Sequence, residues 1–323
     1  MLRMQHGHLE HLREVGVGVV DTLSDSEELP AMPHDFDVDK FNRGRKFFLN
    51  NIFSCTLSML SSLIAGLSVV NLLEPLVFTR ESNTPLKSLL RYVRTFHHVV
   101  IWHYGNVWDP SSGAHKSVAK VRRLHNSVRR RMTGGETVEN PPVSQYDMSL
   151  VQCGFMGGIV MYPEGFGIRC SSADLSDYCY FWYGIGFLLG ISDKNNICKR
   201  DLVETVAICK EIESDILLPA LHDPPRDFYP MAQALVDGMN FPLKYFCLFS
   251  LESFLYVSYA TMSAPRPKLG LADRLRALFL QSFFILVKYV PFCRSLLNRL
   301  VFLGLNKKFL EGEILDLRFQ SRK

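Results

Sequence analysis

The stretch that decides the fold is SVAKVRRLHNSVRRRM, residues 117–132. Its apolar positions recur at spacings of three, four, three and four, which is the period of one face of an α-helix. The residues on that stripe are Val118, Val121, His125, Val128 and Met132. Arginines and lysines flank the stripe on both sides. The pattern predicts an amphipathic helix that turns an apolar face, with His125 at its centre, toward the protein interior.

His125 has two interpretations. A histidine facing inward among valines must satisfy its ring nitrogens, and the ordinary outcome is a hydrogen-bonded core histidine. The alternative is a metal or haem ligand, because a neutral imidazole binds iron well and apolar walls keep water from the metal. The helical pattern alone leaves both open.

A second helix is predicted upstream, in LKSLLRYVRTFHHVVIWHYG, residues 86–105. It follows the loop SNTP, in which Thr84 and Pro85 suit the N-cap and first helical positions. One face of this helix carries polar and aromatic side chains, namely Arg91, Arg94 with Thr95, His98 and Trp102. Such a face either meets haem propionates or bound oxygen, or holds solvent-exposed arginines with Thr95 bonded to its own backbone.

The remaining segments are also helical in pattern. Helices are expected at residues 145–161, 177–191, 199–218 and 241–262, separated by loops rich in proline, glycine and serine. Gly184, Gly186 and Gly190 follow no predicted strand, so they indicate close helix packing. No segment alternates as a strand does and no internal repeat is present. The fold class is all-α.

Two apolar segments raise the question of a membrane. Residues 47–73 carry no charge but contain asparagines and five serines, so a membrane span and a buried core helix are both compatible with them. Residues 271–305 are apolar with scattered basic side chains, interrupted by Lys288 and Pro291. This segment is expected either to lie against a membrane surface or to form a helical pair packed on the core.

Composition limits the function further. The 323 residues are 47% hydrophobic and 12% aromatic with a net charge of +4, which excludes general disorder and gives no nucleic-acid face. The eight cysteines form no CxxC pair and are expected to be buried free thiols. The first 35 residues are polar and include His6, His8 and His11. This composition predicts a mobile tail. Motifs of di-iron carboxylate bundles, zinc hydrolases, serine hydrolases and P-loops are absent.

Taken together, these residues resemble the family of latex-clearing (rubber) oxygenases and the ER-bound oxygenase of mycophenolic acid biosynthesis, most of all its animal-type members. The specific matches are Arg91 with Thr95, and His-x-x-Val-Arg at residues 125–129, thirty residues downstream of Thr95. Supporting matches are WDPSSGAHKS, then SQYDMSLVQCGFMG from Ser144, and FWYGIGFLLGISD from Phe181.

The resemblance implies a globin-like helical core with additional helices and an apolar C-terminal helical tail. It implies a non-covalent haem b with His125 as the iron ligand, and O2 as co-substrate. It assigns cofactor contacts to His125, Arg91, Arg129, His98 and Trp102. It assigns catalytic roles to Arg91, Arg94, Thr95 and an acid/base carboxylate, for which Glu74 is preferred and Glu81 is the other candidate.

One departure from the resemblance is visible. Latex-clearing enzymes have a lysine immediately before the threonine, whereas this chain has Arg94, whose guanidinium stays protonated and cannot ligate iron. The expectation is therefore an oxidoreductase that oxidises or cleaves a hydrophobic, isoprenoid-type alkene with O2. The alternative is a catalytically inactive, membrane-associated protein of the same fold that binds haem or lipid.

Three regions are expected on this basis. Residues 1–35 form a flexible polar tail, residues 36–262 a haem-binding oxygenase-like domain, and residues 263–323 the basic, apolar C-terminal helices. The expected location is the endoplasmic reticulum membrane or another intracellular membrane, and the expected partner is a hydrophobic small molecule or lipid.

Overall fold

A computed structural model describes residues 6–21, 28–240 and 248–310, with backbone only for 6–7 and 303–310. The all-α prediction is confirmed: the described residues contain α-helices, two π-helical turns and one 3-10 turn, and no strand. The α-helices are α1 His6–His11, α2 Val38–Asn50, α3 Ile52–Gly66, α4 Val70–Thr79, α5 Pro85–Tyr104, α6 Gly113–Thr133, α7 Gln145–Met161, α8 Ser172–Leu188, α9 Leu202–Ile212, α10 Leu218–His222, α11 Phe228–Asn240, α12 Leu251–Thr261, α13 Leu271–Tyr289 and α14 Pro291–Leu310.

Helix α7 is the central element, and its bounds agree with the prediction. It begins with a reciprocal capping box, in which Ser144 Oγ accepts from the Asp147 amide and the Asp147 carboxylate accepts from the Ser144 amide. The Gln145 side chain donates to the Gly190 carbonyl at 2.7 Å and accepts from the Ser192 amide at 2.8 Å. These bonds fix the start of α7 against the loop that follows α8.

Close helix packing explains several glycines, as the sequence indicates. A Cβ at Gly184 would lie 2.9 Å from the Phe41 ring, and one at Gly186 would lie 2.5 Å from Gln152 Nε2. Helices α2 and α8 are in contact along this seam, where Arg43 Nε also pairs with Asp177 at 2.7 Å. Gly190 has a φ of +93°, which favours glycine and ends the turn after α8.

A buried histidine lies between two aromatic rings beside this seam. The His103 ring stacks on Phe48 at 3.7 Å and on Phe181 at 3.9 Å between centroids. His103 Nδ1 lies 2.8 Å from the Val99 carbonyl, and Nε2 is buried without a partner. Burial lowers the pKa of His103 to about 3, so the ring is neutral and Nδ1 donates to that carbonyl.

The uncharged run 47–73 is divided over α2, α3 and α4. In the described residues, no helix by itself has both the length and the apolarity to cross a bilayer. Helices α2 and α3 reach that length and apolarity only together, and the chain bends by 88° between them. The same holds for α13 and α14, with a bend of 112°. Helix α3 packs on α7, with Cys55, Met59 and Ile64 fully buried, as expected of a core helix.

Three predicted boundaries are wrong. The helix predicted at 117–132 begins earlier, at Gly113, because the Ser112 side chain caps it. The helix predicted at 177–191 begins earlier, at Ser172, because Ser171 and Asp174 form a second capping box. The helix predicted at 199–218 is broken into α9, a π-helical turn Glu213–Leu217 and α10, next to Pro219, which lacks an amide proton for the helical ladder. Of the helix predicted at 241–262, residues 241–247 lie outside the described residues and α12 covers 251–261.

The structure also differs from the expected tail at residues 6–21. Leu9 and Leu12 are buried, because the helical spacing of α1 and the π-helical turn Leu12–Gly16 directs both toward the core. His8 and His11 lie on this short helical segment, and the described residues contain no group of histidines, cysteines or carboxylates able to hold a metal ion. The cysteines predicted to be buried free thiols are free at the seven described positions. Five of them are buried, whereas Cys170 and Cys293 are half-buried, and Cys247 lies outside the described residues.

Candidate functional site

A cavity of about 1000 Å³ lies in the helical core and is lined by residues along the length of α7. Side chains from α3 to α7 form most of its wall, and apolar surface dominates it. At one end lie Asp147 and Met148, and at the other Met161 and Tyr162. Because an α-helix rises about 1.5 Å per residue, the cavity extends along a helix about 25 Å in length.

His125 lies on the cavity wall together with Val121 and Val128 of the predicted stripe. Its Nδ1 is buried and has no hydrogen-bond partner. Burial, followed by the charges of Arg91 and Arg129, lowers the pKa of His125 to about 4, so the imidazole is neutral at physiological pH. A neutral ring with an unsatisfied nitrogen on a cavity wall has a free lone pair for a metal.

Arg91 is the cation whose charge lowers the pKa of His125 most. It lines the same cavity, and burial lowers the pKa of its guanidinium. Its Nη1 donates to Thr79 Oγ1 at 3.0 Å, a neutral partner. Thr95 also lines the cavity, and its hydroxyl donates to the Arg91 carbonyl at 3.2 Å, which is the backbone bond expected in one of the two interpretations of this face.

His98 and Trp102 meet at one hydroxyl. Ser117 Oγ lies 2.7 Å from His98 Nδ1 and accepts from Trp102 Nε1 at 3.0 Å. Since the indole can only donate, the serine hydroxyl proton is free to donate to His98 Nδ1. The structure therefore brings both predicted residues to the cavity wall and adds Ser117, which the sequence analysis did not select although it lies on the helix of His125.

The other predicted residues are placed differently. Arg94 lines the cavity, whereas Arg129 is buried beside His125 and acts on it through its charge without lining the cavity. Glu74 is exposed and does not line the cavity, while Glu81, the other candidate carboxylate, does. The two cations Lys120 and Arg131 also line it. Their helical spacing on both sides of His125 could have identified them.

An ion pair that the sequence analysis missed lies behind His125. Arg122 Nε and Nη2 donate to the two carboxylate oxygens of Asp21 at 2.6 and 2.7 Å. Both side chains are almost buried, with 5% and 11% of their surface exposed. The Asp21 carboxylate also raises the pKa of His125, against the two arginines. A separation of 101 residues gives no local signal for such a pair.

A second polar group lies at the far end of the cavity. The Tyr162 hydroxyl donates to Glu213 Oε1 at 2.5 Å and accepts from the Lys210 ammonium, which also pairs with Glu213 at 3.4 Å. Burial and the Glu213 carboxylate raise the pKa of Tyr162 well above its usual value. Tyr162 and Glu213 both line the cavity, and Glu213 opens the π-helical turn, a feature often found at functional sites.

Comparison with known proteins identifies the family and supports the fold. The family model described as ER-bound oxygenase mpaB/B'/rubber oxygenase, catalytic domain, matches residues 54–277. A solved structure of latex clearing protein in the closed state shares the fold, with a TM-score of 0.53 and 17% identity over 88% of this chain and 76% of that one. No curated protein sequence matches the chain.

The family match contains the cavity residues from Ser61 to Met262, among them His125, Arg91 and the Tyr162 cluster. It extends beyond the region expected for the oxygenase-like domain by the first turns of α13. The chain therefore belongs to the family of ER-bound oxygenases and rubber oxygenases, within whose catalytic domain this cavity lies.

Proposed function

We propose that the protein is a haem b-dependent oxygenase that uses O2 to oxidise or cleave a hydrophobic alkene of the isoprenoid type. One observation carries the proposal: the neutral ring of His125, whose buried Nδ1 has no hydrogen-bond partner, lies on the wall of a large apolar cavity. The family supplies the reaction class, because its members are oxygenases.

The cavity residues have the chemistry that a haem requires. The lone pair of His125 would ligate the iron, and its orphaned buried nitrogen is costly unless some partner satisfies it. The Arg91 guanidinium is desolvated and donates to the neutral hydroxyl of Thr79. It would therefore hold a propionate carboxylate. Lys120 and Arg131 place further positive charge on the same wall. Haem b, when bound, supplies O2 binding and oxidation.

The protein's own contribution is to hold the alkene and exclude water. An apolar channel along α7 orders an extended chain and brings one double bond to the His125 end, which lowers the entropic cost of reaction. The Tyr162 and Glu213 cluster then lies at the opposite end. It offers a polar contact for the head group of an amphipathic substrate, while the apolar walls select against polar molecules.

A second function is favoured by two observations at the same site. Arg94 cannot ligate iron, and the preferred carboxylate Glu74 is exposed outside the cavity. A catalytically inactive haem- or lipid-binding protein of the same fold would retain His125 and the cavity without needing an acid/base group. Location at the endoplasmic reticulum or another intracellular membrane is part of either proposal and is supported by the family description.

An absorption spectrum with iron quantification tests the haem proposal. The purified protein should show a Soret band with one iron per chain, and His125→Ala should abolish or strongly shift it. His115→Ala is the matched control and should retain the Soret band, since His115 lies on the same helix as His125 but does not line the cavity. A folded, iron-free wild-type protein would overturn the proposal. Haem binding without any oxidised product from isoprenoid alkenes and O2 would select the inactive alternative.

A further inference from the structure

Helix α13 carries apolar side chains on two opposite faces. The inner face consists of Ala277, Leu280, Phe284 and Val287, which are buried against the core. The outward face runs along the whole helix at helical spacing and consists of Leu271, Leu275, Leu278, Ile285 and Tyr289. Between 56% and 77% of each of these five residues is exposed. A helix packed only on a core would carry polar residues on this face.

The outward face continues around a sharp bend into α14. The two helix axes meet at 112° at Pro291, and Phe292 just beyond it is 73% exposed. Leu296 and Leu300 follow at intervals of four residues and are 43% and 55% exposed. We name these eight exposed residues, Leu271 to Leu300, the outer stripe. An exposed apolar surface of this extent marks an interaction site.

The charge around the outer stripe is almost uniformly positive. Residues 264–302 contain a single acidic residue, Asp273, which pairs with Arg276 at 2.8 Å. The basic residues in this range are Arg266, Lys268, Arg274, Arg276, Lys288, Arg294 and Arg299. The combination of leucines and aromatic residues with flanking arginines and lysines is typical of segments that lie in a bilayer interface.

We propose that the outer stripe docks the protein on the surface of a bilayer rich in anionic lipids, with the bend at residues 289–292 inserted among the acyl chains. The leucines and Phe292 would enter the acyl region while the arginines contact lipid phosphates. The proposed binding is to one leaflet, without a span. It accounts for both earlier interpretations of this segment, because the inner face packs on the core and the outer stripe does not.

Charge favours a bilayer over a second copy of the chain as the occupant. A two-fold dimer built on the outer stripe would bring the same patch of each copy together. Arg276 pairs with Asp273 and Lys288 with Glu164, so an excess of five positive charges would face an identical excess. Anionic headgroups neutralise that charge instead. Most of the outer stripe also lies beyond residue 277, where the match to the catalytic domain ends.

The inner face of α13 connects this surface to the cavity. The Phe284 ring meets the Phe166 ring edge-on at 5.4 Å, and Phe166 lines the cavity at the end where Tyr162, Thr261 and Met262 also lie. A lipid leaving the bilayer at the outer stripe would therefore reach the Tyr162 end first. This last step rests on the proposed function, whereas the docking itself does not.

Vesicle co-sedimentation of the full chain tests the docking. Vesicles of phosphatidylcholine alone are compared with vesicles that contain about one third phosphatidylserine. We expect at least tenfold tighter binding to the anionic vesicles, weakened by salt. The triple variant Leu275→Gln, Leu278→Gln, Ile285→Gln should bind the anionic vesicles at least tenfold more weakly than the wild type does. The double variant Arg294→Gln, Arg299→Gln should lose most of the preference for phosphatidylserine.

The matched control places the same substitution on exposed apolar residues elsewhere, at Leu86, Val138 and Val203, and should bind as the wild type does. Wild-type protein that fails to bind anionic vesicles, or a triple variant that binds equally well, overturns the proposal. A wild-type dimer in sedimentation velocity that the triple variant abolishes assigns the stripe to a second copy, which also overturns it. Protein that has a Soret band but does not bind vesicles would contradict only the docking. Protein that binds vesicles but has no Soret band would contradict only the haem proposal.

Discussion

Arg122 on α6 and Asp21 near the start of the chain form a nearly buried, two-point ion pair immediately behind His125. Charges of this kind are removed from water, and their mutual contact compensates part of the loss of hydration. The pair also connects the N-terminal segment to the helix that carries the candidate iron ligand. Its removal therefore affects both the stability of the fold and the surroundings of His125.

Breaking this pair on one side should be strongly destabilising. We expect Asp21→Asn to lower the free energy of unfolding by about 3–5 kcal/mol, because it leaves the Arg122 charge buried and uncompensated. Urea unfolding followed by circular dichroism measures it. The surface pair of Asp35 and Arg200, with 63% and 71% of the side chains exposed, is the control, and Asp35→Asn should cause no measurable loss. Equal effects of the two variants would contradict the buried role.

The sequence pattern predicted those features that residues close in sequence determine, namely helix bounds and shared helix faces. The bounds of α7 follow from its capping box and apolar run, and the shared face of Arg91, His98 and Trp102 follows from helical spacing. Asp21 and the contact of Tyr162 with Glu213 could not be predicted in this way. They join residues distant in sequence, and a single chain carries no signal for which polar residues of distant helices meet.

The acid stability of the protein should depend on His103. Its folded pKa of about 3 lies below the ordinary value of 6.5, so the unfolded chain binds the proton first as the pH falls. Stability from this residue is complete above pH 6.5 and decreases as the pH falls toward 3. Between pH 7 and pH 5 the loss should be about 2 kcal/mol.

His103→Phe, which retains a ring between Phe48 and Phe181, should reduce that pH dependence by about 2 kcal/mol even if it lowers stability at pH 7. Phe48→Leu removes the same stacking contact without removing a titrating group, so its pH dependence should equal that of the wild type. Chemical unfolding of the wild type and the two variants at both pH values supplies the six free energies needed. Parallel pH profiles for all three proteins would show that His103 does not contribute.

Ser117 should position the two aromatic rings of the cavity wall. Ser117→Ala leaves His98 Nδ1 and the Trp102 indole N–H without their shared partner, at an expected cost of about 1–3 kcal/mol. Trp102 fluorescence should shift because the indole loses its hydrogen bond. Ser117→Thr retains the hydroxyl and should restore both properties toward wild-type values. Unchanged emission in Ser117→Ala would show that the indole is held by other contacts.

Gly154 offers a way to block the cavity without disturbing the fold. It lies on α7 about 14 Å from Gln145, close to halfway along the cavity that it lines. A Cβ at this residue would meet no atom within 4 Å. Gly154→Ala should therefore stabilise the protein by about 0.5–1 kcal/mol, since alanine favours the helix. Gly158→Ala, whose Cβ would lie 2.5 Å from Ser58 Oγ, should destabilise it by about 1–3 kcal/mol instead.

Gly154→Phe should then separate the two ends of the cavity, because Gly154 lines the cavity and a Cβ there enters open space. If an extended alkene must reach from the Tyr162 end to His125, this variant should retain its fold and its Soret band but lose turnover of long isoprenoids by at least tenfold, which corresponds to about 1.4 kcal/mol in the barrier. Short alkenes that fit the His125 end should still react if they enter beside Arg91. Product analysis across a series of chain lengths distinguishes these cases, and unchanged turnover of the longest substrate would contradict a channel that runs along α7.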